Sequence, residues 1–242
     1  MKTFLLILIT SGILSAQTKV DKTIPVKAGQ KVKMRFDYPD LIKVSTWDKN
    51  EISIKGDVSI NGGESDDAFI LDTRSEGNAV IIRNEIKDMD KIPHRITVHV
   101  DGQKLVFRNK TEWKKYEDEH GKNYSMMNNG VEMDITLEIK VPRNMETLVE
   151  CVYGTVEIRD FTGPLTVEAT YGGVDASITE QSTGELVAET NYGHIYSNLN
   201  LLVNSKDIKD ENFHTYVSAK PGSGPRYSFE SKYGNVYLRK GN

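Results

Sequence analysis

The sequence predicts an all-β protein in which an N-terminal β region leads into a C-terminal parallel β-solenoid. Apolar and polar side chains alternate with period two along many short segments, as they do in half-buried strands. Helical periodicity is weak throughout the chain. In the C-terminal half a Tyr-Gly pair recurs at intervals of about 20 residues or twice that spacing, which indicates a structural repeat.

Residues 1–16 have the pattern of a secretory signal peptide. Lys2 supplies the positive start, residues 4–9 are apolar, and Ser15 and Ala16 are small residues before a cleavage site at Gln17. The apolar stretch is shorter than the about 20 residues that a membrane-spanning helix needs. We therefore expect an exported protein in the periplasm, at the outer-membrane surface or outside the cell, with no transmembrane span in the mature chain.

Residues 17–130 are expected to form the N-terminal β region. Alternating segments occur at 24–26, 32–36, 41–47, 51–56, 80–83 and 96–100. Residues 101–130 interrupt this pattern with a strongly charged run, and their one candidate helix spans 111–119. We expect this segment to be a polar excursion from the sheet that is disordered or loosely packed.

Residues 131–242 contain the repeats that predict the solenoid. The corner tyrosines are Tyr153, Tyr171, Tyr192 and Tyr233. The residue four positions before each tyrosine is apolar and the residue two positions before it is small, so both should point inward. The position between them should point outward, and it is always a glutamate: Glu150, Glu168, Glu189 and Glu230. The segment 201–224 holds either a degenerate repeat or an insertion.

Each repeat is interpreted as a strand, a Tyr-Gly corner, a second strand and a further turn. Glycine suits the corner because it adopts positive φ without a Cβ penalty. A repeat of this length cannot bury its apolar face alone and must stack on its neighbours. Equivalent strands would then lie about 4.8 Å apart, forming an inner aliphatic row, an outer glutamate row and a tyrosine row.

The chain resembles a group of exported bacterial proteins, the adhesin-like families of unestablished function. The resemblance rests on the leader ending in Ala16-Gln17, the strand pair around Val44 to Ile54, the segment Leu137 to Pro142 and the repeated Tyr-Gly corners. These families are common in Bacteroidetes-type bacteria and are similar to autotransporter head domains. The resemblance implies a right-handed β-helix-like domain at the cell envelope with no known catalytic residues.

Composition and motifs argue against several classes of function. A net charge of −4 does not favour the clustered basic face that nucleic-acid binding needs. The glycines form no nucleotide-binding motif, and no His, Cys, Asp and Glu set has the spacing of a zinc site. The single cysteine, Cys151, excludes an intramolecular disulfide, and its place in a row of small residues predicts a buried side chain rather than a nucleophile.

The glutamate row has three interpretations. Glycoside-cleaving enzymes place two carboxylates within about 5–10 Å of each other, so a polysaccharide-acting lyase or hydrolase is an alternative. An acid–base pair needs two different environments, whereas a regular row gives each carboxylate nearly the same one, which favours a solvated outer row. Closely spaced carboxylates could also bind Ca²⁺ weakly, and no other cofactor is expected.

The tyrosine row has two interpretations. Stacked rings stabilise neighbouring strands by packing, which is the favoured role. Rings that point outward would instead form a platform for sugar rings or for a peptide strand. We therefore predict a non-catalytic cell-envelope protein with an adhesin-like or structural role and a glycan or an envelope protein as partner. A periplasmic sensor or accessory protein is a further alternative.

Overall fold

The computed structural model of the chain describes residues 17–122, 124–202 and 208–241. The predicted signal peptide, residues 1–16, lies outside the described residues. Within the described part the chain is all-β, as predicted, with twenty strands and one α-helix. In chain order they are β1 (Thr18–Pro25), β2 (Lys31–Phe36), β3 (Leu41–Trp47), β4 (Glu51–Ile60), β5 (Phe69–Glu76), β6 (Ala79–Ile86), β7 (Arg95–Val100), β8 (Gln103–Phe107), α1 (Lys110–His120), β9 (Met126–Gly130), β10 (Met133–Pro142), β11 (Thr147–Cys151), β12 (Thr155–Ile158), β13 (Leu165–Ala169), β14 (Val174–Ile178), β15 (Glu185–Thr190), β16 (Ile195–Ser197), β17 (Ile208–Glu211), β18 (His214–Ala219), β19 (Arg226–Ser231) and β20 (Val236–Lys240).

These strands form two large sheets and one small sheet within the described part. The eight-stranded sheet has the order β1-β4-β10-β3-β12-β14-β20-β16, and the nine-stranded sheet has the order β17-β18-β15-β19-β13-β11-β2-β6-β5. The small sheet has the order β8-β7-β9. In the described ranges, no helix has both the length and the apolar character needed to cross a membrane.

The two large sheets contribute to one hydrophobic core, because every second side chain of their strands points inward. Strand β10 shows this most clearly: Ile135, Leu137, Ile139 and Val141 are fully buried between exposed or half-buried neighbours. The core also contains the apolar row predicted from the repeats. Its members, all buried, are Val149, Val167, Ala188 and Phe229.

The repeats pair in the register that the tyrosine alignment predicts. Strands β11, β13, β19 and β15 run parallel, and Glu168 lies opposite Glu150 on one side and Glu230 on the other. In the eight-stranded sheet, the second strands of the repeats, β12, β14, β20 and β16, are also parallel neighbours. The chain crosses from one sheet to the other at each Tyr-Gly corner.

The parallel β-solenoid predicted from these repeats is nevertheless not what the structure shows. Both large sheets are mixed, because β4 pairs antiparallel with β1 and β10, β5 with β6, and β15 with β18. The last repeat strand, β19, lies between β13 and β15, so the order in space departs from the order in the chain. The hairpin β17–β18, which lies within the segment 201–224, occupies the outer edge of β15. Because β18 pairs with that edge, β19 pairs with the other edge of β15, the one nearer to β13.

The expectation that residues 101–130 are disordered or loosely packed is wrong. Strands β8 and β9 pair with β7, and α1 lies across the sheet where a helix was predicted. Asn109 caps this helix, because its side-chain oxygen accepts hydrogen bonds from the backbone N–H groups of Thr111 and Glu112. Trp113 is buried with Ile96 and Val98 in a second small core. This aromatic packing orders a segment whose charge had suggested disorder.

Candidate functional site

The Tyr-Gly corners stack on one another so closely that no side chain fits at the glycine. A Cβ on Gly172 would lie 1.5 Å from the carbonyl oxygen of Gly154 in the neighbouring corner. The predicted reason for glycine, a positive φ, holds at Gly154, whose φ is +85°. It does not hold at Gly172, where the close approach of two backbones is what excludes a side chain.

Small side chains two positions before the tyrosines hold these corners by hydrogen bonds. The Ser231 hydroxyl donates to the carbonyl oxygen of Gly172 over 2.7 Å and accepts from the backbone N–H of Gly234. Thr190 does the same at its own corner, donating to the carbonyl oxygen of Gly234 and accepting from the N–H of Gly193. The small-residue row therefore both fills the core and satisfies backbone groups at the turns.

Because the corners stack, the corner tyrosines form one continuous row of parallel rings. The ring centroids of Tyr153 and Tyr171 are 5.2 Å apart, those of Tyr171 and Tyr233 are 5.1 Å apart, and those of Tyr233 and Tyr192 are 5.2 Å apart. The ring planes differ by 8–12°. All four side chains point outward, with 45–61% of each residue exposed. The row is thus a surface feature as well as a packing device.

Two further aromatic residues extend this row at its ends. Tyr38 stacks on Tyr153 at one end, and Phe213 stacks on Tyr192 at the other, each with ring centroids 5.9 Å apart. We call the six residues the aromatic row: Tyr38, Tyr153, Tyr171, Tyr233, Tyr192 and Phe213. Neither end residue belongs to a Tyr-Gly pair, so the repeat pattern does not predict them.

Phe213 occupies an unusual backbone position for its type. It lies in the two-residue turn of the β17–β18 hairpin, where Asn212 has φ of +52° and Phe213 has φ of +68°. This turn normally takes Asn-Gly, because positive φ at both central residues is costly for a bulky side chain. Phe213 is 78% exposed and stacks on Tyr192. An aromatic residue at a glycine position of a hairpin turn is the signal that could have identified it.

The stacking geometry determines what a partner would meet at this surface. Nearly parallel rings about 5 Å apart are in the offset-stacked arrangement, in which each interior ring uses both faces on its neighbours. The exposed parts are therefore mainly ring edges and phenol hydroxyls. In the described part of the chain, the hydroxyls of Tyr153, Tyr171, Tyr192 and Tyr233 make no hydrogen bond to protein groups, so they are open to a ligand.

The predicted glutamate row is present beside the aromatic row, three residues earlier on each strand. Its order in space is Glu150, Glu168, Glu230 and Glu189. Only Glu168 is exposed, and the other three are half-buried, which differs from the expected fully solvated row. Although Glu168 is the most exposed of the four, partial desolvation of its carboxyl group raises its pKa, and the neighbouring carboxylates of Glu150 and Glu230 raise it further.

The two ends of the glutamate row have cationic or ionisable neighbours, whereas its centre does not. Arg35 lies 4.0 Å from the Glu150 carboxylate, and the His214 Nε2 atom lies 2.7 Å from Glu189 Oε1. Among the described residues, Glu168 and Glu230 have no cation within ion-pair distance. The four carboxylates therefore do not share one environment, contrary to the expectation from a regular row.

Cys151 is buried and donates a hydrogen bond to the carbonyl oxygen of Tyr153, and burial raises the pKa of its thiol to about 12. A thiol in that state is inert as a nucleophile at neutral pH.

In the described ranges, no group of three or more His, Cys, Asp or Glu side chains is arranged to hold a metal ion. Weak Ca²⁺ binding by the glutamate row stays a prediction.

Comparison with known proteins gives two distant structural likenesses. No protein-family model and no curated protein matches the chain. A crystal structure of a candidate cell adhesion protein from Clostridium sporogenes is 10% identical, with a TM-score of 0.43, over 93% of this chain and all of that one. A candidate adhesin from Bacteroides fragilis is 12% identical, with a TM-score of 0.23, over 94% of this chain and all of that one. At these scores the two likenesses carry no information on function.

Proposed function

We propose that this chain is a non-catalytic binding protein of the cell envelope, adhesin-like in role, whose contact surface is the aromatic row. The observation that supports this most is the exposure of stacked tyrosines. Packing alone explains why the rings stack, since each stacked pair adds about 0.5–1.5 kcal/mol beyond its buried area. Packing does not explain why the row of rings is exposed to solvent. Large exposed apolar surfaces usually mark interaction sites.

The rigidity of the row also favours binding. Each interior ring is held between two others, so its side chain loses little conformational freedom when a partner arrives. Tyrosine combines a large contact area with a hydroxyl that both donates and accepts hydrogen bonds. Six rings at the ends of neighbouring strands give a row roughly 25 Å long, because strands lie about 4.8 Å apart. A surface of this shape fits an extended partner better than a small molecule.

The neighbouring carboxylates favour a glycan as that partner. The glutamate row lies three residues, or about 10 Å, from the aromatic row, and carboxylates at its centre accept hydrogen bonds. Some hydroxyls of a glycan can donate hydrogen bonds to Glu168 and Glu230, while other hydroxyls of the same glycan bond to the phenol hydroxyls. An apolar peptide would leave these carboxylates without partners, and an acidic glycan would be repelled. We therefore propose a neutral or amine-bearing glycan chain as the ligand.

A binding screen of the purified protein on glycans and envelope extracts, with and without calcium, tests this proposal. The decisive variant is Tyr171→Phe combined with Tyr233→Phe, which keeps the stacked rings and removes two hydroxyls. The matched control is Tyr196→Phe, because Tyr196 is 48% exposed and stacks on Tyr237, and its ring stacks on no member of the aromatic row. We expect weaker binding in the double variant and none of this loss in the control. Equal binding by all three proteins would contradict the proposal.

A further inference from the structure

The edge strand β9 (Met126–Gly130) lacks the protection that exposed sheet edges usually have. Its inner side pairs with β7, and no described strand pairs with its outer side. Unpaired edges attract other strands, and proteins usually protect them with charged residues, proline or very short strands. The β9 sequence Met-Met-Asn-Asn-Gly has no charge and no proline, and its first four residues are exposed.

The other sheet edges in the described part carry such protection. Strands β1, β5, β8 and β17 each contain charged residues, and β16 is only three residues long. In that set, β9 alone is both longer than three residues and free of charge and proline. Met126 and Met127 on it are 62% and 50% exposed. This edge is therefore available for pairing.

A groove lies between this edge and the helix α1. In the antiparallel pairing, Asn129 is opposite Ile96 and Met127 is opposite Val98. Paired residues point to the same face of a sheet, so Met127 and Asn129 lie on the face that α1 packs against. The helix covers β7 and β8 there, with Trp113 buried, but leaves β9 uncovered. The resulting groove has a volume of about 480 Å³.

The groove is basic, although the whole chain has a net charge of −4. Its walls include Arg108, Lys110, Lys114 and Lys122, against the single carboxylate of Glu117. Arg108 is engaged with Glu64, at 2.9 Å between Nη2 and Oε1. Within the described part of the chain, none of the three lysines has an acidic side chain within ion-pair distance. Three lysines without counterions beside an open strand edge predict an anionic partner.

We propose that an acidic peptide strand pairs with the outer edge of β9 and places its carboxylates in the basic groove. In this mode main-chain hydrogen bonds supply affinity, and alternate side chains entering neighbouring pockets supply specificity. Every second residue of the added strand would face the α1 side, where the lysines lie. The flexible, polarisable side chain of Met127 would pack against the stems of those residues. This site is separate from the aromatic row and does not depend on the function proposed for it.

The test uses the purified protein and a capped eight-residue peptide of alternating glutamate and valine. One comparison peptide has lysine in place of glutamate, and another carries N-methyl groups on alternate backbone nitrogens. We expect binding of the first peptide only, with slowed hydrogen exchange at residues 126–130. The variant Lys114→Glu with Lys122→Glu should weaken binding at least about tenfold, since each reversal replaces an attraction by a repulsion.

The control for the charge effect is Lys115→Glu, because Lys115 is an exposed neighbour on the same helix that does not line the groove. It should bind the acidic peptide nearly as well as the unchanged protein. Four results would overturn the proposal: no binding of the acidic peptide, equal binding of the lysine or N-methylated peptide, equal loss in the Lys115 variant, or protection outside residues 126–130. Binding of polygalacturonate in this groove without peptide binding would also overturn it and would assign the groove to acidic glycans.

Discussion

Tyr171 and Tyr233 stack with their ring centroids 5.1 Å apart and their planes 9° apart, although Tyr233 belongs to the last repeat and Tyr171 to the second. The last repeat strand, β19, lies next to β13 in the nine-stranded sheet, which brings the two corners together. The same arrangement places the carboxylates of Glu168 and Glu230 side by side. Both surface rows thus depend on the spatial order of the repeats.

The stacking of Tyr171 and Tyr233 should be measurable as a coupling energy. A double-mutant cycle of Tyr171→Ser and Tyr233→Ser should give about 0.5–1.5 kcal/mol of coupling in the free energy of unfolding. The same cycle on Tyr171 and Tyr196, which are not in contact, should give additive losses. Additive losses in the first cycle would show that the rings do not stack in solution.

Gly172 should be far less tolerant of substitution than the adjacent Gly173. A Cβ on Gly172 would lie 1.5 Å from the backbone oxygen of Gly154, whereas a Cβ on Gly173 would be 3.1 Å from the nearest atom, the Asn235 oxygen. We expect Gly172→Ala to cost more than about 3 kcal/mol or to prevent folding, because two packed backbones would have to separate. Thermal and urea unfolding of Gly173→Ala should show a much smaller loss. Similar stability of the two variants would mean that the corners are not stacked so tightly.

Ionisation of Glu168 should reduce stability at neutral pH. Its pKa is raised in the folded protein, so the folded state holds the proton more tightly than the unfolded chain does. The free energy of unfolding therefore decreases as pH rises from the pKa of Glu168 in the unfolded chain to its pKa in the folded protein. The full decrease is present at pH values above the folded-state pKa. Glu168→Gln should be slightly more stable than the unchanged protein at pH 7, with the difference absent near pH 3. In urea titrations at both pH values, Glu138→Gln, which lies outside the row, serves as control. A loss of stability at pH 7 in Glu168→Gln would contradict the shift.

Trp113 should determine whether residues 95–130 stay folded. Its ring packs against Phe107, Tyr116 and Tyr124 and lies in the small core of this segment. Removing a buried aromatic side chain typically costs about 3–5 kcal/mol, which is comparable to the whole stabilisation that such a small core supplies. Trypsin should cut Trp113→Ala rapidly at the exposed lysines of α1 and leave the unchanged protein intact there. The control Tyr196→Ala should resist cleavage. Rapid cleavage of the unchanged protein would restore the interpretation of a loosely packed excursion.

The protein should show no turnover on envelope or plant polysaccharides. A glycoside-cleaving pair needs one carboxylic acid and one carboxylate aimed at the same bond, and the glutamate row runs along a surface instead of converging on one point. Release of reducing ends or unsaturated sugars by the purified protein is the measurement. Activity that disappears in Glu168→Gln alone, with Glu138→Gln unaffected, would establish the enzyme alternative.

The sequence by itself determined the register of the repeats and most of the strands. Period-two alternation and the tyrosine alignment correctly put the four glutamates in one register and Glu150 beside Glu168, because the direction of a strand side chain is a local property. Stacking of successive repeats predicts Glu189 on the other side of Glu168, where the structure has Glu230. The same local pattern located the buried row from Val149 to Phe229. Strands β5, β8, β9 and β17 escaped detection because they lie at sheet edges and carry little alternation, and β18 escaped because nearly all of its side chains are half-buried.

Only the tertiary structure decided how the repeats are ordered and which surfaces they create. Strand β19 lies between β13 and β15 instead of on the far side of β15. The far edge of β15 is already paired with the β17–β18 hairpin, so that position is not free. The need for glycine at Gly172, the two ends of the aromatic row at Tyr38 and Phe213, and the counterions of Glu150 and Glu189 all arise between segments far apart in the chain. Such contacts depend on distances in space, which a pattern within one segment does not encode.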